Sequence, residues 1–257
     1  MKRSHKVRPR PGAGPAAADN GQTFAVDTAV SCPWDAAVAP LADVGHSVLR
    51  GLLTPAQCTE LASFYDDPSR FRSRVMMARH GFGRGQYQYF REPLPILVGE
   101  VRARMYERLA PVANQWYASL GLSGDFPAYL EDFRARCRAA GQSRPTPLLL
   151  KYGPGDYNRL HRDVYGPTLF PIQLTVLLSR PGVDFTGGEF VLTEQSPRMQ
   201  SRAHVVPLSL GDGVLFPVSV RPEQGPRRAH QVQVRHGVST IHTGQRFSLG
   251  VIFHDAA

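Results

Sequence analysis

From Pro145 onward the chain breaks into short apolar stretches punctuated by Gly and Pro, and no other feature of its 257 residues constrains the fold as tightly. Candidate strands fall at 147–152, 170–178, 188–193, 203–208, 213–218, 231–241 and 245–253. Many short strands with turns at this spacing argue for a sandwich or barrel, specifically a jelly roll, also called a double-stranded β-helix. Such a barrel is open at one end and offers a socket lined by the inward residues of several strands. Residues 145–257 are therefore expected to form the core, in a mainly β (α+β) fold with supporting helices.

Upstream the texture is different. Residues 1–30 are rich in Ala, Pro, Gly and charge with no hydrophobic period, which reads as a disordered basic tail. Order should begin near Trp34, and residues 31–144 read as helical support within one structural domain spanning 31–257. Thr54-Pro55-Ala-Gln57 has the residues of a capping box with Pro at the first helical position, and the helix it opens should stop before Pro68. A second helix is expected over about 94–120, broken or kinked at Pro111, and a third over about 127–140. Between the first two, residues 70–91 look like a hairpin whose Gly81-x-Gly83-x-Gly85 tip could serve as a lid.

Charge and cysteine content bound the setting. The formal net charge is +9. Lys2, Arg3, Lys6, Arg8 and Arg10 stand in the tail, and Arg70, Arg72, Arg74, Arg79, Arg84 and Arg91 stand in 70–91 with no acid among them. This placement is compatible with plain solubility or with attraction to a polyanion. Phe71, Phe82, Tyr87 and Tyr89 are interleaved with those arginines, a mixture suited to phosphates and unpaired bases of DNA or RNA. Cys32, Cys58 and Cys137 are scattered and odd in number, which favours a cytoplasmic protein over a disulfide framework or thiolate zinc site. No apolar run reaches the ~20 residues of a membrane span, so no membrane partner is expected.

His161 and Asp163 are two apart, so on an extended segment both leave the same face. With one later His they would make the two-imidazole, one-carboxylate set of a mononuclear non-haem Fe(II) site, which leaves three positions of an octahedron open. Hairpin geometry selects that later His. If His242-Thr243-Gly244 is a three-residue loop, Thr240 pairs with Arg246, and His236, Val238, Thr240, Arg246, Ser248 and Gly250 share one face. His236 is then the ligand and His242 a solvent-facing turn residue. Arg246 and Ser248 form an inward guanidinium–hydroxyl pair suited to a carboxylate, the structural alternative being an inward Arg paired with a core acid. Tyr152, nine residues before His161, either adds a phenol to the same carboxylate or is an ordinary barrel-core Tyr.

On these residues the run from Leu148 to Phe253 resembles the 2-oxoglutarate/Fe(II) oxygenase superfamily, particularly its prolyl-4-hydroxylase-like branch. In that branch a Tyr lies nine before the first ligand and a basic residue ten after the last, here Tyr152 and Arg246. The branch usually carries Lys at the latter position; Arg246 departs from it, as the AlkB type also does. Gly187-Gly-Glu-Phe190 resembles the family's turn into a strand, and Gly211-Asp-Gly-Val-Leu-Phe216 its strand before the distal ligand. More narrowly, Arg79-His-Gly-Phe-Gly-Arg84, the stretch 144–150 and Phe185-Thr-Gly-Gly-Glu-Phe-Val-Leu-Thr-Glu194 are similar to a bacterial family described as oxygenases acting on damaged DNA. The resemblance implies a dioxygenase with Fe(II), 2-oxoglutarate as cosubstrate and O2. Its products would be succinate, CO2 and a hydroxylated substrate, or a demethylated one where the hydroxylated carbon sits on nitrogen. It leaves open an alkylated nucleic acid, bound by segment 70–91 and the tail, or a protein substrate of the prolyl type. Arg79, His80, Arg84 and Tyr157 are the candidate substrate contacts.

Overall fold

The computed structural model describes residues 34–226 and 228–257, so the tail expected over 1–30 lies outside the described residues. The first described element is helix α1, Trp34–Asp43, followed by the short strand β1, Ser47–Leu49. Neither was expected as an element; Pro40 lies inside α1 and masks its helical pattern. The capping box forms as the sequence predicts, with Thr54 accepting from the Gln57 amide and the Gln57 side chain accepting from that of Thr54. It opens α2, Pro55–Ser63, which buries Cys58 and Leu61.

Helix α3, Ile96–Ser119, runs straight through Pro111. Its stripe of Val98, Val101, Met105, Leu109, Ala113 and Trp116 is buried along the whole length. That packing outweighs the roughly 3 kcal/mol a helix-interior proline costs. Helix α4, Leu130–Ala139, turns Leu130, Phe133 and Cys137 into the same core.

Against these helices lies a seven-stranded sheet in the order β1-β11-β7-β15-β5-β4-β2. Its strands are β2 (Phe71–Met76), β4 (Gln86–Phe90), β5 (Leu148–Tyr152), β7 (Ile172–Leu177), β11 (Gly213–Pro217) and β15 (Arg246–Val251), with β1 at one edge. Side chains alternate across it. Leu149, Leu174, Val176, Leu215, Leu249 and Val251 join the helices in the largest apolar cluster. Their neighbours Leu150, Tyr152, Gln173, Thr175, Arg246 and Ser248 face the other way, into a cavity. The far wall of that cavity is a second sheet in the order β10-β9-β13-β6-β3, with β12 paired to β13. Here β3 is Gly83–Arg84, β6 Tyr157–His161, β9 Phe190–Gln195, β10 Arg202–Val206, β12 Val220–Gln224 and β13 Ala229–Val238. A two-stranded ribbon of β8 (Phe185–Gly187) and β14 (Ile241–Gly244) completes the fold. Two facing antiparallel sheets with helices on one outer side are the jelly roll that the strand pattern predicts.

The register expected around His242 is not the one found. Strands β13 and β15 are not a hairpin: β13 pairs with β9 and β6 in one sheet, while β15 pairs with β5 and β7 in the other. The chain crosses the sandwich through β14, so Arg246 lies opposite Tyr152 rather than Thr240. His242 is solvent-exposed as expected, but on the ribbon instead of a turn tip. Gly188 enforces part of this crossing. Its φ is +65°, and a Cβ there would lie 2.2 Å from Ile241 Cδ1 and 3.1 Å from Arg246 Cδ.

Segment 70–91 is the hairpin the sequence predicts, β2 pairing antiparallel with β4. Its tip is tied down. A 3₁₀ turn over Met77–His80 leads into β3, which pairs with β6 across Gly83↔Asn158 and Arg84↔Tyr157. Gly83 permits this approach, since a Cβ there would meet the Tyr157 carbonyl oxygen at 2.4 Å. One hairpin thus belongs to both sheets.

Candidate active site

The cavity between the sheets holds about 170 Å³, and the exposed side chains of Phe82 and Arg162 are among those that line it. Three of its polar groups form one cluster. His161 ends β6 and His236 lies directly opposite it in β13, their rings 4.2 Å apart. Asp163 follows two residues beyond the end of β6. One ligand atom from each of the three side chains falls within 4.8 Å of the others, the sole such metal-competent cluster among the described residues. His161 Nδ1 lies 2.7 Å from the Arg159 carbonyl oxygen, to which it donates, so its Nε2 carries the free lone pair. That Nε2 is 3.5 Å from Asp163 Oδ1, and His236 Nε2 is 3.3 Å from Oδ2. Rings of Phe216 and Phe190 wall His236 on its buried side, at 4.7 and 6.1 Å between centroids.

Electrostatics in the cluster follow from burial. Burial alone would push the Asp163 carboxyl up, but the two imidazoles hold it well below its ordinary value. Burial lowers His236, and the neighbouring His161 lowers it further. For His161 burial also acts downward, yet the Asp163 carboxylate outweighs it and the net shift is upward. The cluster therefore presents a carboxylate between two imidazoles, an arrangement with one negative charge and room for a cation.

The opposite wall carries the reverse charge. Arg246 is fully buried in β15, and its Nη1 donates to the Ser248 hydroxyl at 3.2 Å. No carboxylate among the described residues forms an ion pair with it, and its Nε has no hydrogen-bond partner. Burial pulls its guanidinium below the ordinary value, partly offset by Tyr152 and Glu189. The guanidinium carbon sits 5.7 Å from the ring of Tyr152, its cross-strand partner. The Tyr152 hydroxyl is likewise buried; the Asn158 amide approaches it without closing a well-formed bond. Gln173 Nε2 is a third orphaned donor on the same cavity. A guanidinium, a phenol, an amide and a hydroxyl thus line one wall, and among the described residues no carboxylate accepts from Arg246 Nε, Tyr152 OH or Gln173 Nε2. That is a socket for a carboxylate.

Residues 85–256 match the family described as "Oxygenase, catalysing oxidative methylation of damaged DNA". The chain belongs to that family. This oxygenase is 46% identical over 165 residues to uncharacterized proteins of two Mycobacterium tuberculosis strains, an overlap of 64% of this chain and 71% of each relative. Its fold is similar to that of a Pseudomonas putida prolyl-4-hydroxylase, with TM-score 0.54, 18% identity, and 88% of this chain and 100% of the other covered. It is also similar to a Trichoplax adhaerens prolyl hydroxylase solved with a hypoxia inducible factor peptide fragment, with TM-score 0.52, 13% identity, and coverages of 86% and 89%. As a member of that family the chain is an oxygenase, and so an oxidoreductase. No described helix is long and apolar enough to cross a membrane.

The structure brings His161, Asp163, His236, Tyr152, Arg246 and Ser248 to one cavity. It treats the four expected substrate contacts differently. Arg79, His80 and Arg84 are exposed around the hairpin tip, Tyr157 lies on β6 opposite Arg84, and none of the four lines the cavity. The residue that does is Phe82, between His80 and Arg84: 47% exposed, its ring 5.3 Å from that of His80 and stacked on it. Sequence reasoning also missed Tyr165, whose hydroxyl donates to Asp163 Oδ1 at 2.7 Å. An aromatic residue two positions past the carboxylate was the available signal.

Proposed function

We propose that His161, Asp163 and His236 hold Fe(II), that Arg246, Ser248 and Tyr152 hold the distal carboxylate of 2-oxoglutarate, and that the oxygenase acts on an alkylated base of DNA. The observation that carries the cofactor assignment is the buried, acid-free Arg246 facing an anionic cluster across one cavity. When bound, Fe(II), 2-oxoglutarate and O2 supply the oxidising chemistry, with succinate and CO2 as the cosubstrate's products. The chain supplies placement. Both imidazoles offer an Nε2 lone pair and Asp163 an oxygen, all from one wall, which leaves the opposite side of the site free. Arg246 and Tyr152 fix the cosubstrate's far end on the other wall, so its remaining length must run toward the cluster. Leu148, Leu150, Val238 and Ile252 line the space between and keep bulk water out.

The mouth supports a nucleic-acid substrate. A large exposed aromatic on a tied-down tip gives a planar ring something rigid to stack on. Arg162 at the cavity, with Arg84 and Arg159 exposed on the paired strands β3 and β6, places cations where a phosphate backbone would pass. The 170 Å³ interior is small, so the target is a single group extruded into it rather than a whole chain.

The test is a succinate-release assay with N-methylated single-stranded oligonucleotide, unmodified oligonucleotide and a proline-rich peptide. Methylated oligonucleotide is expected to stimulate turnover, and Phe82→Ala to weaken its binding by about 1–3 kcal/mol. Stimulation by the peptide alone would replace the DNA reading with a prolyl-type hydroxylase. Abolition of metal binding by His242→Ala but not by His236→Ala would sink the ligand assignment.

A further inference from the structure

A chain of two hydrogen-bonded phenols ends on the carboxylate of the cluster. Tyr165 OH lies 2.7 Å from Asp163 Oδ1, Tyr89 OH lies 3.2 Å from Tyr165 OH, and the ring of Tyr87 packs edge-on against that of Tyr89 at 5.3 Å between centroids. Proton bookkeeping fixes its direction. A carboxylate only accepts, and a phenol has one proton, so Tyr165 must donate to Asp163. Its own oxygen then accepts from Tyr89. Tyr87 and Tyr89 sit two apart on β4, paired with Leu150 and Leu148 of β5. The Arg72 guanidinium lies 4.4 Å above the Tyr89 ring and is itself bonded to the Pro145 carbonyl, which fixes the ring in place.

The two oxygens of Asp163 are therefore not equivalent. Each faces one candidate ligand nitrogen, Oδ1 that of His161 at 3.5 Å and Oδ2 that of His236 at 3.3 Å, but only Oδ1 also receives a fixed donor, Tyr165. Resting on the reading of the cluster as a metal site, we propose that Tyr165 is a positioning residue that restricts Asp163 to one-oxygen coordination, with Tyr89 holding it in the donor role. The consequence is geometric. A two-oxygen carboxylate would fill a fourth position of the octahedron, leaving two of the three that a chelating cosubstrate and O2 together require. The hairpin that shapes the cavity mouth thus also governs how many positions at the metal stay open.

Co(II) is the probe, titrated anaerobically into the metal-free protein and followed by its visible absorption, which reports coordination number. Tyr165→Phe is expected to melt as the wild type does without metal, to bind Co(II) about 10- to 100-fold more weakly, and to give an altered spectrum in the presence of 2-oxoglutarate. Tyr89→Phe, two links from Asp163, should shift affinity by about fivefold in the same sense, the equivalent of one neutral hydrogen bond. Unchanged Co(II) affinity and spectrum in Tyr165→Phe overturn the proposal, and a lower metal-free melting point with an unchanged spectrum assigns the phenol to packing and overturns it equally. If the wild type itself fails to bind Co(II), or Asp163→Ala binds it as well, the metal-site reading falls with it. An unchanged Tyr165→Phe on a wild type that binds leaves that reading standing.

Discussion

Among the described residues three arginines are fully buried, and two of them differ from the third in what they meet. Arg102, on α3, donates to the carbonyls of Ile252 and Phe253 and to Asp255 Oδ1 at 2.7 Å, and Asp255 is held from its other side by Arg134. Arg221, on β12, closes a 2.5 Å ion pair with Glu194, which also receives His204. Arg246 meets a hydroxyl and nothing anionic. Removing a guanidinium from water costs several kcal/mol unless a partner compensates. Arg102 and Arg221 carry their compensation in the fold. Arg246 does not, so its compensation has to arrive as a ligand. Buried arginine is thus two different statements, and the partner decides which.

Loss of the compensated arginine should have the largest effect on stability. Arg102→Ala leaves the buried Asp255 with Arg134 alone and should lower unfolding free energy by about 3 kcal/mol, the low end for breaking a buried pair, measured by urea denaturation. It should leave 2-oxoglutarate affinity unaltered. Arg246→Ala should do the reverse, weakening 2-oxoglutarate binding to the Mn(II)-loaded protein by about 2–5 kcal/mol with no loss of apo stability. Arg246→Lys should fall between, keeping the charge without the fork. If Arg246→Ala destabilised the apo protein as Arg102→Ala does and left cosubstrate binding intact, the distinction drawn here would collapse. A smaller effect is read by ligand-linked melting. Cosubstrate at about 100 times its Kd should add about 2.7 kcal/mol to the metal-loaded wild type and nothing to Arg246→Met. Smallest is the apo protein itself: Arg246→Met should stabilise it by about 1 kcal/mol, because an uncompensated charge gives way to a methionine of similar length. A drop in its melting temperature would mean that a partner for Arg246 exists within the fold.

How far the sequence revealed this site depended on which distances were local. His161 and Asp163 are two apart, Arg246 and Ser248 likewise, and period-two alternation places each pair on one face whatever its strand pairs with. That is why the cavity residues were legible even though the sheets to which β13 and β15 belong were not. Inward faces survive an error in sheet membership, provided the two strands face each other across the sandwich instead of lying side by side. Thr240 shows the cost, being exposed and outside the cavity where a hairpin would have turned it inward. Nothing local announced that Tyr89 reaches Tyr165, since 76 residues separate them and the contact exists only once β4 has joined β5. Phe82 was seen as an aromatic in a basic segment, but exposure is a property of the folded surface. A sequence shows a large apolar side chain and cannot show that it was left in water.

The shared hairpin ties two readouts together. Phe82 accepts at its carbonyl from the Arg159 amide, and the Arg159 carbonyl accepts in turn from His161 Nδ1. A single residue of β6 thus stands between the ring at the doorway and a ring at the metal. Its amide proton lies on the one backbone bond that joins them, and its rate of exchange with deuterium becomes a gauge of traffic through the doorway that needs no label and no turnover.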